Sequence, residues 1–420
     1  MRLGFLCFVG TGHLYPAITL GRCLAARGHD VTIFHSRLAR TAIQAAGLQF
    51  RLLDGGDSAP VARWSNREDY SGRFSTALRS LASREVYAAS ARKVLGQGVD
   101  VVGEAKLDAL IVDQAEFAGG TLAELLGLPF VTLSTSPVFH LDDRVPPTLF
   151  GWRYHRGPAA RLRNRLANWL VNRMAGPILA MINDRRRAAG LPALVHVNQT
   201  LSRRALISHM PRAFDFPLAP PPANLFYTGP FLEDQARRPV RFPWDRLDGR
   251  RVVYASMGTV RNDLASLFPT IAEACRGLDA QLVLSLGGGQ LTPEDIGPLP
   301  GDPLVVHYAP QLELLKRADL TITHAGLNTT LESLSVGVPL VAVPLADDQP
   351  GVASRIEWTG VGRVVRVGRL SEHRLREAVV AVLDGSTYRS AAKRMEEAIR
   401  DSGGVQQAAD IVEGALSAAG

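Results

Sequence analysis

Short apolar runs alternate with longer amphipathic stretches along nearly the whole chain, and this alternation restricts the fold more than any other feature. Arg2–Val9 reads as a strand, Tyr15–Arg27 as a helix, Val31–His35 as a strand, Leu38–Ala46 as a helix and Leu48–Leu53 as a strand. A polar loop with Trp64 and Tyr70 leads to a long helix near Thr76–Leu95. A strand Leu107–Asp113, a helix Phe117–Leu126 and a strand Pro129–Ser134 follow. Such alternation implies a parallel sheet covered on both faces. It breaks between Pro211 and Trp244, where eight prolines stand. Proline lacks the N–H and fixes φ, so no regular element is expected there, and the stretch reads as a hinge. Strands then resume at Arg251–Met257, Gln281–Leu286, Leu304–His307, Leu320–Thr323 and Leu340–Val343, with helices between them and a helical end from Ser371. The expected fold class is α/β, with two Rossmann-like domains, 1–235 and 236–399, facing each other across a cleft. Ligands in such sheets bind beyond the carboxyl ends of the strands.

Composition narrows the class. At 420 residues the chain exceeds the roughly 100–200 residues of one domain. Hydrophobic residues at 46% and charged residues at 21% exclude a disordered, collagen-like or coiled-coil chain. No apolar run approaches the ~18–20 residues needed to span a bilayer. The start, MRLGFLCFVG, reads as a buried first strand rather than a leader peptide. Cys7, Cys23 and Cys275 form neither a disulfide framework nor a zinc pattern, so a reducing cytosol is expected.

The net charge of +7 is carried almost wholly by arginine, and nine arginines with one acid lie between Trp152 and Arg187. That patch permits a membrane surface, an acidic ligand or nucleic acid as partner. Within it, Leu162, Leu166, Trp169, Leu170 and Met174 share one helical face. The first expectation is packing on its own domain. Peripheral membrane contact through residues 161–174 is the other, because a tryptophan and flanking arginines suit a lipid interface. Nucleic acid is not expected, since no recognised module accompanies the charge.

The first strand ends in Gly10-Thr11-Gly12-His13-Leu14-Tyr15-Pro16. Pro16 stands where a dinucleotide fingerprint has its third glycine, and the second strand ends in His35 instead of an acid. Both departures count against a nicotinamide or flavin cofactor. What remains is a turn at Gly12 that brings backbone close to a ligand. His13 lies at the mouth of the first helix, where partial positive charge favours the neutral imidazole that can accept a proton. Asp113, closing a neighbouring strand, can bond the far nitrogen of His13 as base and orienter. Each alone reads equally well as a helix cap.

In the second half, His324-Ala325-Gly326 is a turn after a strand, and Asn328, Thr329 and Thr330 open a helix. Free N–H groups at a helix start, with glycine allowing close approach, suit a diphosphate. Glu332, one turn on, can reach a ribose hydroxyl pair. Tyr308-Ala309-Pro310-Gln311 puts a ring and a turn at another strand end, suited to a base. Asp347-Asp348-Gln349 offers carboxylate and amide groups to sugar hydroxyls.

The stretch Tyr308 to Gln349 resembles the donor signature of the UDP-glycosyltransferase superfamily, whose two-domain architecture is the GT-B fold, and the likeness covers nearly the whole chain. Ile111-Val112-Asp113-Gln114, Ile322-Thr323-His324-Ala325-Gly326 and Asp348-Gln349-Pro350-Gly351-Val352-Ala353-Ser354-Arg355-Ile356 resemble the wording of bacterial zeaxanthin glucosyltransferase-like natural-product enzymes. The resemblance implies a base at His13 with Asp113 as its partner. It implies stacking of uracil on Tyr308, where tryptophan is usual, beside Ala309 and Gln311. Diphosphate contacts fall to His324, Gly326, Asn328 and Thr329, with Ser256-Met257-Gly258-Thr259 forming a turn near the phosphates. Glu332 then takes the ribose and Asp348 and Gln349 the sugar. It further implies that a last helix, about 400–420, packs back on the first domain.

An inverting, metal-independent transfer of a hexose, glucose by default, from a UDP-sugar to a hydroxyl of a lipophilic small molecule such as a carotenoid follows as the expected function. No D-x-D metal motif occurs in the chain, so His324 and the helix start beside it are expected to stabilise the departing diphosphate, with no cofactor. The loops 59–72 and 137–154, with Trp64, Tyr70, Phe139, Phe150, Trp152 and Tyr154, are expected to shape the acceptor pocket. A sugar-nucleotide epimerase and a non-catalytic sugar-nucleotide-binding protein of the same fold remain the rival readings.

Overall fold

A computed structural model describes residues 1–53, 84–232, 240–258, 267–289 and 291–417. Thr259, Trp64 and Tyr70, and the first part of the helix expected near Thr76–Leu95, lie outside them.

The first seven strands are β1 (Arg2–Leu6), β2 (Asp30–His35), β3 (Gln49–Leu52), β4 (Ala109–Asp113), β5 (Phe130–Ser134), β6 (Leu206–Ser208) and β7 (Leu225–Tyr227). They form one parallel sheet in the order β3-β2-β1-β4-β5-β6-β7. The second sheet holds β8 (Arg251–Ser256), β9 (Ala280–Ser285), β10 (Leu304–Val306), β11 (Leu320–Thr323), β12 (Leu340–Ala342) and β13 (Gly362–Val364), in the order β10-β9-β8-β11-β12-β13. It too is parallel throughout. The strand order reverses between β1 and β4 in one sheet and between β8 and β11 in the other. Crevices open at such reversals because the helices that follow the two strands leave on opposite faces.

The apolar strands explain the parallel arrangement. All five residues of β4, ALIVD, are buried, as a strand covered on both faces requires. Helix α1 (Thr11–Ala26) covers one face of the first sheet, and Leu14, Ile18, Leu20 and Leu24 enter its core. Helix α2 (Pro158–Ala188) is 31 residues long and opens with proline in its first turn, where no N–H is missed. Helices α3 (Leu327–Leu334) and α4 (Gln349–Thr359) follow β11 and β12. The last helix, α5 (Gly404–Ser417), crosses back to α1. Its Val405, Ala408, Ala409, Val412 and Leu416 join the first sheet's core, and Arg27 bonds Asp410 and Glu413.

Two expectations fail. The proline-rich stretch does contain a regular element, because the prolines leave 223–229 clear and β7 forms there, with its N–H groups available to pair with β6. The apolar face of the arginine-rich segment does not pack on its own domain: Leu162, Leu166, Trp169 and Leu170 are exposed, and only Met174 turns inward. Among the described residues, no helix is long and apolar enough to cross a membrane, and all three cysteines are buried with none in a disulfide bond.

Candidate active site

Both strand-order reversals open into one cleft, which spans about 1540 Å³ of atom-free space including its open mouth and is lined from both halves. On the first side, β1 ends at the Gly10 turn, where φ is +128°, a value that only glycine adopts readily. The turn feeds α1, and His13 in its first turn faces the cleft with 23% of its side chain exposed. Asp113, at the end of adjacent β4, is 3% exposed and lies 2.8 Å from His13 Nδ1 through Oδ2. The Ala115 N–H donates to Asp113 Oδ1 at 2.8 Å and fixes the carboxylate. Thr135, just past β5, puts its hydroxyl 2.8 Å from the same imidazole nitrogen and 3.3 Å from Asp113. The ring of Phe8 meets His13 edge-on at 5.3 Å. With Nδ1 engaged, Nε2 is the nitrogen left to act on a ligand.

The helix end was expected to keep His13 neutral. Burial does push its pKa down, but the charge and hydrogen bond of Asp113 outweigh this, and the net shift is upward. Behind the pair, burial lifts the Glu116 carboxyl to about 7 although Ser90 donates to both its oxygens, at 2.7 and 2.9 Å.

On the second side, His324 follows β11 in a turn where Ala325 has φ +65°. A Cβ on Gly258 would stand 2.9 Å from His324 Cε1, and one on Gly326 would strike the same ring. These two glycines therefore make room for the imidazole beside the opening of α3. No side chain caps α3 and no acid lies in its first turn, so its first N–H groups can receive an anion. Asn328 does something the sequence did not suggest: its amide donates to the Gly12 carbonyl of α1 at 3.0 Å. Pro16 explains the opening. In an α-helix the carbonyl of residue 12 would accept from the N–H of residue 16, and proline has none. The departure from the dinucleotide fingerprint thus leaves an acceptor that the opposite half fills.

Glu332 is buried inside the cleft wall at 5% exposure rather than on a surface helix. Gln311 Nε2 donates to its Oε2 at 2.6 Å, and the Tyr254 hydroxyl donates to Gln311 Oε1 at 2.9 Å. Tyr308 packs against Gly288, whose φ is +74° and whose added Cβ would lie 2.9 Å from the ring. Ala309, Thr329, Ser256 and Gly12 also line the cleft. Asp347 at φ +56° carries the chain into α4, with Asp348 as its N-cap. Lost hydration and then the charge of Asp347 lift the Asp348 carboxyl to about 6. The Gln349 side-chain oxygen accepts from the N–H groups of Leu345 and Ala346, so its amide nitrogen is the group it can offer a ligand.

Residues 61–403 match the family described as UDP-glucoronosyl and UDP-glucosyl transferase. The chain belongs to that family. Zeaxanthin glucosyltransferases of Pantoea ananas and Pseudescherichia vulneris are each 30% identical to it, over 96% and 94% of this chain and 93% of each relative. The crystal structure of CalG4, the calicheamicin glycosyltransferase, superposes with a TM-score of 0.74 at 24% identity, covering 99% of this chain and 98% of that one, which establishes the GT-B fold. The protein is accordingly a UDP-dependent glycosyltransferase.

A second cavity of about 980 Å³ adjoins the cleft of this glycosyltransferase, and Tyr87, Phe139, Leu149 and Asp347 line both. Its walls are mainly apolar, built from the 138–149 loop and one face of α2, with Arg84, Asp142, Asp347 and Arg355 as their charged points. Phe139 is the one aromatic residue of the expected 137–154 loop that lines it. Trp152 packs on Phe150 at 4.6 Å, and Tyr154 stacks on Phe216 at 5.4 Å. The sequence did not single out Thr135, Tyr254, Ser285 or Phe8. For Thr135 and Ser285, the rule that sites gather at carboxyl strand ends was the available signal. Among the described residues, no cluster of three or more histidine, cysteine or acidic side chains could hold a metal ion.

Proposed function

We propose that the enzyme transfers a hexose, with glucose as the favoured sugar, from UDP-sugar to a hydroxyl of a lipophilic natural product, by a single inverting displacement without a metal ion. The observation that carries this reading is the His13–Asp113 pair, held at 2.8 Å on one wall of a cleft whose other wall is the His324 turn and the start of α3. His13 Nε2 removes the acceptor proton as the oxygen attacks the anomeric carbon. Asp113 stabilises the imidazolium so formed. The bond from the anomeric carbon to the diphosphate breaks, and its charge is received by His324, the α3 N–H groups and Thr329. Attack from the face opposite the leaving group turns an α-linked donor into a β-glycoside. Glu332 takes the ribose hydroxyls, Tyr308 stacks on the base, and Asp348 and Gln349 bind the sugar.

The apolar cavity beside His13 supports a lipophilic acceptor, as do the two zeaxanthin glucosyltransferases among its relatives. UDP release and product mass, measured over a panel of hydroxylated carotenoids and polyketides, test the reading. Turnover should persist in EDTA and give the β-anomer. His13→Ala should lower the rate by about 10²–10⁴ while UDP-glucose binding stays close to that of the wild type. Loss of activity on chelation, or full turnover by the variant, would contradict it.

A further inference from the structure

Helix α2 carries two apolar faces. Asn168, Val171, Ala175 and Ile178 line the second cavity. Leu162, Leu166, Trp169 and Leu170 are 58, 61, 64 and 42% exposed. At about 100° per residue these two sets point to opposite sides of the helix. A stripe of four large apolar side chains in adjacent turns exceeds the scattered exposure that any soluble surface shows. Its surroundings are cationic. Arg161 and Arg173 are exposed on the same helix and Arg156 just before it, while the exposed Arg165 and Arg153 are already paired, with Asp143 at 3.0 Å and Glu357 at 3.6 Å. The only acid in α2 is Asp184, near the far end and already bonded by Arg187. Arg186 is excluded from the count because it is buried and paired with Glu124.

We propose that α2 docks the enzyme on an anionic lipid surface, with Leu162, Leu166, Trp169 and Leu170 entering the headgroup–acyl boundary and the exposed arginines meeting lipid phosphates. Charge complementarity selects this occupant: a protein partner could cover the stripe, but so one-sided a cationic rim matches a surface that is anionic throughout. The arrangement also gives α2 a second use, which rests on the acceptor reading above. The helix is the partition between the lipid and the cavity, so a lipophilic acceptor has only the width of this wall to pass between bilayer and catalytic histidine.

Vesicle sedimentation of the full chain tests the docking without any donor or acceptor present, so its outcome is independent of the proposed reaction. The probes are vesicles of phosphatidylcholine alone and mixed with phosphatidylglycerol. The wild type should bind the mixed vesicles at least about tenfold more tightly than the neutral ones, and added salt should erode the difference. Leu162→Gln/Leu166→Gln/Trp169→Gln should lower binding to mixed vesicles by about tenfold or more while leaving turnover of a water-soluble acceptor unchanged. Failure of the wild type to bind mixed vesicles would overturn the proposal, as would equal binding by the triple variant. A wild-type dimer that the variant turns into a monomer would assign the stripe to a second copy and overturn it likewise.

Discussion

The base proposed at His13 acts only when unprotonated, so the upward shift imposed by Asp113 has a direct kinetic consequence. In the wild type the acid limb of kcat/KM should lie above the ordinary histidine value near 6.5, with activity falling as pH drops through the raised pKa. Asp113→Asn removes the charge that raises it. The limb should then move to lower pH while the plateau rate falls, since the imidazolium loses its partner. A pH–rate profile of both proteins checks this, and a limb that stays in place would assign the titration to Glu116 or Asp348. Glu332 makes the second residue-scale prediction. Its carboxylate already accepts from Gln311 at 2.6 Å and has capacity for further donors. A ribose offers one more hydroxyl than a deoxyribose, and a charge-assisted bond is worth roughly 1.5–3 kcal/mol. UDP-glucose should therefore be preferred over dTDP-glucose by about tenfold to a hundredfold, and Glu332→Ala should close that gap in competition kinetics. The sequence made these residues legible because His13 and Asp113 stand where a strand ends or the next helix opens, and Glu332 lies in the helix that opens just after the His324 turn. Tyr254 was not, because its hydroxyl reaches Gln311, 57 residues away, only once the second sheet is assembled, which no local pattern encodes.

Among the elements, the His324 turn depends on what two glycines leave empty. Gly258 combines φ +92° with an imidazole where its Cβ would stand. Alanine there costs about 1–2 kcal/mol in backbone strain and also displaces His324. Gly258→Ala should raise the donor KM about tenfold or more, with a smaller effect on the acceptor KM. Isothermal titration with UDP checks it, and unchanged affinity would mean that the ring position is unimportant for the diphosphate. Element identity was readable wherever an apolar run exceeded four residues. The three-residue strands β6, β7 and β13 were missed, although β10 and β12 are no longer and were read; three residues show no period, and the pairing of β6, β7 and β13 comes from the sheet already built beside them. The exposed face of α2 was misjudged for a related reason. Periodicity shows that a helix has an apolar side but not whether anything covers it.

Across the whole molecule, the cleft exists because the two halves are held in one relation, by an apolar cluster that joins Met210 and Phe214 to α3 and α4 and by an ionic link. Arg355 on α4 bonds Asp215 of the first half through Nε at 2.8 Å and through its terminal nitrogen at 2.7 Å, with side-chain exposures of 5% and 10%. The Tyr227 hydroxyl donates to the other Asp215 oxygen at 2.7 Å, Arg355 also donates to the Gly351 carbonyl at 2.9 Å, and its guanidinium lies 4.4 Å from the Phe216 ring centroid. A buried pair so fully bonded contributes modestly as a pair, yet removing one member strands the other without solvent. Arg355→Met should therefore destabilise the protein by about 3–5 kcal/mol, and Asp215→Asn by a comparable amount. The double variant should lose much less than the sum, because neither charge is then left alone. Both single variants should also raise the KM for donor and acceptor together, since they loosen the frame that brings His13 opposite His324; Arg355 also lines the apolar cavity, whereas Asp215 lines neither cavity, so Asp215→Asn is the variant that reads the frame alone. A double-mutant cycle on urea midpoints, read beside the two KM values, checks it. Additive losses with unchanged KM values would show that the pair is a surface contact of no consequence for the cleft, and that the link between Asn328 and the Gly12 carbonyl, with the packing of Gly151 on Pro350, holds the halves instead.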